Sequence, residues 1–148
     1  MYLDETSDCL LDLLALLRAV QVIHQNAHWN VKGETYYGDH LLFQRLYEAV
    51  GAEIDTLAEK ITAMFGSYCV SSSDQASRIE SFVSDWEHTY PCYVTRSLYA
   101  EKQLQIIFKE AYDFLDECGA LPLGMDDFLM AAANAHETAI YLLQQRVA

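Results

Sequence analysis

Five polar side chains, His28, His40, Gln44, Asp55 and Glu59, stand where a simple amphipathic helix has no need of them. Imidazole and carboxylate together suit iron, zinc or manganese. His40 and Gln44 are four residues apart, and so are Asp55 and Glu59. On a helix each pair shares one face. They do not make one site within one straight helix, because fifteen residues from His40 to Asp55 span roughly 22 Å of helix axis.

A helical hairpin brings the two histidines together. His28 lies five residues before Gly33, and His40 lies seven after it. On neighbouring antiparallel helices they stand at similar heights and form one half-site. Asp55 and Glu59 form a second half-site farther along. A two-fold dimer with its second helices antiparallel sets each histidine pair against the partner's carboxylate pair, and such an isologous contact makes two equivalent sites. The spacing therefore points to a metal site shared between two copies of the chain.

The elements that must position these groups are long helices. The chain has only two prolines and six glycines. From about Asp4 to Val31, Leu10, Leu13, Leu14, Leu17, Val20 and Ile23 recur at helical spacing. Gly33 breaks that run, and Thr35 is placed to cap a second helix from about Thr35 to Phe65. Gly66 ends it. The Ser71–Asp74 stretch is a turn, with Asp74 as the expected N-cap of a short helix to about Val83. A third helix is expected from about Val94 to Cys118 and a last from about Met125 to Val147. The order is a single all-α domain over 1–148: four helices, with a short helix in the long crossover between the second and third. Bundles with one such crossover are the ferritin-like arrangement.

Composition narrows the functions. The 148 residues fit one domain, and 52% hydrophobic content exceeds what a monomer of this size needs, as in an obligate oligomer. Asp and Glu number 22 against 9 Lys and Arg, a net charge of −13. Such a surface repels phosphate backbones and attracts cations. Cys9, Cys69, Cys92 and Cys118 form no CxxC pair, so the expectation is reduced thiols at core or boundary positions in a cytoplasmic protein. No basic-then-apolar leader opens the run Met1-Tyr2-Leu3-Asp4-Glu5. The apolar stretch from Leu10 to Ile23 is too short and too charged to span a bilayer.

The string His28-Trp29-Asn30-Val31-Lys32-Gly33 resembles the signature of the Dps family, the DNA-binding proteins from starved cells. The family's second ligand histidine falls at His40, and its Asp-x-x-x-Glu pair at Asp55 and Glu59, followed by Lys60. The resemblance runs from about Gln25 to Lys60; elsewhere it is one of helix order and length. It implies a hollow dodecamer built from two-fold dimers. Ferroxidase sites at the dimer interfaces would oxidise Fe(II) with hydrogen peroxide or oxygen, and ferric iron would be stored inside, protecting against oxidative damage. His28, His40, Asp55 and Glu59 would bind iron, with zinc as a substitute. Trp29 would pack beside the site or intercept an oxidising equivalent. The resemblance also implies pores lined near the start of the last helix, where Asp126 and Asp127 fall.

Two departures bear on that reading. Where the family usually has an Asp four residues after the second histidine, this chain has Gln44. The site loses a negative charge, and the alternative is a non-enzymatic metal-binding or structural cage. Glu48 is one turn on. Basic tails are also missing from the pattern: the first basic residue is Arg18, the first twelve residues include Asp4, Glu5, Asp8 and Asp12, and the end offers only Arg146. This argues against DNA binding. The larger ferritin type is disfavoured, since no Glu is followed by His three residues later. His24, four before His28, is a candidate extra ligand or supporting contact. His136 and Glu137 are expected on a helix surface.

Overall fold

The computed structural model describes residues 2–148; Met1 lies outside the described residues, as do the side chains of Tyr2, Leu3, Asp4 and Tyr68. The expectation for the Met1–Glu5 opening therefore falls largely outside them, and Asp4 with it. Five α-helices follow in order: α1 Tyr2–Asn30, α2 Tyr36–Phe65, α3 Ser72–Thr89, α4 Tyr93–Glu117 and α5 Leu123–Val147. A 3-10 turn, Ser67–Val70, joins α2 to α3. There is no strand among the described residues.

Helix ends fall where the backbone must reverse. Gly33, Gly66 and Gly119 adopt φ of 95°, 100° and 65°, a region that L side chains avoid. The Gly66 N–H still donates to the Thr62 carbonyl at 2.9 Å, closing the last turn of α2. Thr35 stands at the N-cap of α2 as the sequence reading has it, but three details differ. Thr35 precedes α2 but makes no side-chain cap; its hydroxyl donates instead to Asp39 at 2.9 Å. Asp74 lies in the first turn of α3, behind Ser71, because Arg78 one turn on holds its carboxylate at 3.0 Å. The crossover helix is also not short. It runs 18 residues to Thr89, since Trp86 is buried and its indole N–H donates to Gln103 at 2.8 Å.

α1 is the central element. Leu10, Leu13, Leu14, Leu16, Leu17 and Val20 are all buried. They pack with Leu57 and Ile61 of α2, Trp86 of α3, Leu104 and Leu115 of α4, and Leu129 of α5. A second apolar cluster gathers Ala27, Phe43, Leu46, Leu98 and Leu143 at the α1–α2 hairpin end. Ala49 of α2 and Ala135 of α5 are exposed although they fall near the apolar stripes of their helices. Two ionic ties brace the periphery. Arg78 reaches Asp8 at 2.6 Å and Asp12 at 2.7 Å, fastening α3 to α1. Arg146 holds buried Asp39 at 2.7 Å, fastening the end of α5 to the start of α2. No helix among the described residues is long and apolar enough to cross a membrane.

Candidate functional site

The hairpin brings His28 and His40 face to face. Their rings stack with centroids 3.8 Å apart and planes 18° from parallel. Each backbone supports the other ring: His28 Nδ1 lies 2.7 Å from the His40 carbonyl, and His40 Nδ1 lies 2.9 Å from the His28 carbonyl. A carbonyl oxygen only accepts, so both Nδ1 atoms carry hydrogen. In the neutral rings both Nε2 atoms then hold the lone pair, the form that binds a metal. Tyr36 stacks on His40 at 5.2 Å, and Tyr47 meets His28 edge-on at 5.3 Å.

The remaining expected ligands do not join this pair within one chain. Asp55 and Glu59 are exposed, on the later half of α2. Among the described residues, no three His, Cys, Asp or Glu side chains surround a common point. The Gln44 amide nitrogen donates to Glu48 at 3.1 Å. Trp29 is 66% exposed beside the histidines, so it does not pack into its own subunit. Asp126 is half-buried in the first turn of α5 with Oδ1 lacking a hydrogen-bond partner, and Asp127 is exposed.

Two histidines stand elsewhere than expected. His24 does not approach His28: it is fully buried, with Nδ1 3.0 Å from the Ser97 hydroxyl and Nε2 2.8 Å from Glu101. His136 is not on a helix surface. It is buried, with Nδ1 2.6 Å from Glu101 and Nε2 2.6 Å from Glu53. The result is a polar layer, Ser97–His24–Glu101–His136–Glu53, with members from α1, α2, α4 and α5. Burial pushes the Glu101 carboxyl up, but hydrogen bonds from His136 and His24 outweigh it and hold it at about 2. Burial likewise pulls His136 down, but Glu101 and Glu53 outweigh it and raise the imidazole to about 10. Sequence reasoning missed Ser97, Glu101 and Glu53 and misplaced His136. The available signal was a polar residue on an inner stripe: Glu101 between Leu98 and Leu104, and His136 between Ala132 and Ala139.

No disulfide joins Cys9, Cys69, Cys92 and Cys118. Cys92 departs from the expected boundary position: it is exposed at the start of α4. The backbone N–H of Thr95 lowers its thiol, despite some burial, with help from Val94.

The helix order and the long crossover place the chain in the ferritin-like class of bundles. Within that class its structural neighbours are Dps proteins. Dps from Thermosynechococcus elongatus superposes with a TM-score of 0.81 over 99% of this chain and 92% of its own, at 16% identity. DpsC from Streptomyces coelicolor gives 0.80 over 97% and 83%, at 21% identity. A Dps protein from Vibrio cholerae, described as a member of a broad superfamily of ferritin-like diiron-carboxylate proteins, gives 0.75 over 98% and 90%, at 16% identity. A "DNA protection during starvation protein" from Brevibacillus brevis is 43% identical over 42 residues, 28% of either chain. An uncharacterized protein from Haemophilus influenzae is 32% identical over 60 residues, 40% of this chain and 38% of its own. The matched stretches thus span well under half of these curated relatives. No family model matches. The fold of the chain is that of the Dps proteins.

Proposed function

We propose that the protein is an iron-binding miniferritin that oxidises Fe(II) at sites shared between two subunits and stores ferric iron in a hollow cage. The observation that carries this is the His28–His40 clasp. It fixes both rings and leaves both Nε2 atoms available, yet it supplies only half of a ligand set. Asp55 and Glu59 of a second copy supply the other half. Fe(II) is the substrate. Each hydrogen peroxide takes one electron from each of two ferrous ions and leaves as water. Oxygen is the other candidate oxidant. The assembly is a dodecamer of two-fold dimers in the cytoplasm, with Asp126 and Asp127 lining the entry pores. Zinc can occupy the same donors.

Gln44 favours a second reading, a metal-binding or structural cage without fast turnover. Its amide adds no negative charge at the place where a second ferrous ion would bind, and its nitrogen is spent on Glu48. One experiment separates the two. Fe(II) is added anaerobically, then peroxide, and ferric absorbance is followed for the protein and for a His28→Ala/Asp55→Ala variant. Fast oxidation that the variant loses supports the ferroxidase. Oxidation no faster than buffer in an intact assembly leaves the second reading.

A further inference from the structure

Arg18 differs from the guanidinium groups that tie the bundle together. Arg78 and Arg146 hold carboxylates. Arg18 is half-buried on α1 and has no carboxylate at ion-pair distance among the described residues. It donates from Nη1 to the side-chain oxygen of Gln75 at 2.5 Å. Gln75 is buried and fixed in turn, its amide nitrogen donating to the Val70 carbonyl at 2.6 Å. A neutral amide therefore orients the guanidinium without cancelling its charge. This happens in a chain with 22 acids against 9 Lys and Arg, where a carboxylate partner was easy to supply. Arginine does not shed its proton, and a charge drawn out of water calls for an opposite one.

The guanidinium borders a cleft of about 590 Å³ between α1, α2 and the start of α3. Gln21, Gly51, Asp55 and Gln75 share its wall, and the rest is apolar. Gln21 donates one amide hydrogen to the Tyr47 carbonyl at 3.2 Å; the amide has a second to give. Gly51 brings no side chain to fill the space. Arg18 and Asp55 border the same cleft without forming an ion pair, so the space between them is open to a bridging ion.

We propose that this cleft binds a phosphate group, held by the Arg18 guanidinium and the Gln21 amide and accepted on its hydroxyl side by Asp55. The planar fork of arginine matches two oxygens of a tetrahedral oxyanion. Asp55 decides which oxyanion. An ionised carboxylate only accepts hydrogen bonds. It repels sulfate, which carries no proton at neutral pH, and accepts from phosphate, which keeps at least one hydroxyl. The acidic surface does not forbid the site. Exposed charges farther off than about 8 Å are largely screened at physiological salt, and a recess of this size admits a small ion but not a duplex. The anion site stands on Arg18 and does not need the interface reading. Its nearness to iron does rest on that reading, because Asp55 belongs to both.

The test is calorimetric titration of the assembled, metal-free protein with inorganic phosphate. Saturable binding of roughly one phosphate per subunit is expected, about tenfold or more tighter than sulfate. Arg18→Met should weaken it by about tenfold or more, the loss expected for hydrogen bonds to a charged group. Asp55→Asn should erase the preference over sulfate. Methyl phosphate distinguishes the sources: weaker binding identifies the free ion as the occupant, equal or tighter binding the end group of a small ester, and both uphold the site. If Arg18→Met fails to fold, Arg18→Lys decides, since it keeps the charge and loses the fork. Absence of saturable binding overturns the proposal. So does binding that neither Arg18 variant weakens, which would mark an adventitious ion only. His28→Ala should leave phosphate binding unchanged; its effect on iron oxidation tests the interface reading separately.

Discussion

His28 and His40 owe their usefulness to the backbone that holds them. Each ring spends Nδ1 on the other's carbonyl, so both rings are fixed in orientation. Sequence spacing was enough to pair them across Gly33, because a hairpin fixes height. It was not enough to find the Glu101–His136 pair, whose partners are 35 residues apart on antiparallel helices. That pair has a measurable signature. His136 is raised from 6.5 to about 10, so its contribution to stability is full below pH 6.5 and is lost as pH climbs through 10. Glu101 is lowered from 4.5 to about 2, so its contribution is full above pH 4.5 and is lost as pH falls through 2. Glu53 from α2 and His24 from α1 face the pair, and Arg45 lines a cleft of about 240 Å³ that Glu53, Glu101 and His136 also border. Melting temperature should therefore peak between pH 4.5 and 6.5 and decline above it. A His136→Ala variant should lose about 3–5 kcal/mol at neutral pH and lack the alkaline decline, because it leaves Glu101 short of a buried partner. A melt that stays flat from pH 6.5 to 10 would contradict the pairing. The thiols differ in a similar way. Burial and the nearby Asp12 push Cys9 up to about 11, whereas the start of α4 lowers Cys92. Iodoacetamide at neutral pH should label Cys92 well before Cys9, as peptide mass mapping would show.

Among the elements, the four long helices were legible because their apolar stripes are long and regular. The crossover was misjudged. The part of α3 beyond Val83 is largely polar, and only tertiary contacts through Trp86 keep it helical to Thr89. Cap assignments failed for a related reason: Thr35 and Asp74 have nearby side-chain partners that compete for their oxygens. α3 is attached to α1 through Arg78, which serves Asp8, Asp12 and Asp74 together. The acids are 45–61% exposed and each pair is screened by water, so no single one contributes much. As a network around one guanidinium they should matter more. Arg78→Ala is expected to cost about 1 kcal/mol and to speed amide hydrogen exchange in α3 while leaving α4 and α5 unchanged. Equal acceleration across all five helices would show that the clamp is not local.

For the whole molecule, the question is what its surface meets. Trp29, Tyr37 and Leu41 are 66%, 70% and 44% exposed beside the histidine clasp. They give this end of the bundle an exposed apolar surface, the one the proposed dimer would cover. Nucleic acid is the opposite case. Affinity for a phosphate backbone comes from Lys and Arg that neutralise it and release counterions. Here the net charge is −13. Arg146, the basic residue near the C-terminal end, is committed to buried Asp39 and to the Thr35 hydroxyl rather than projecting as a tail. Arg78 is likewise committed to three carboxylates. Assembling twelve such subunits would multiply the repulsion without freeing a cation. The purified assembly should therefore leave duplex DNA unshifted on a native gel even at about 50 mM salt, where phosphate contacts are strongest. A shift that weakens as salt rises would show that assembly gathers a basic surface that one subunit does not display. An Arg146→Ala variant would then test whether the Asp39 tie had released it.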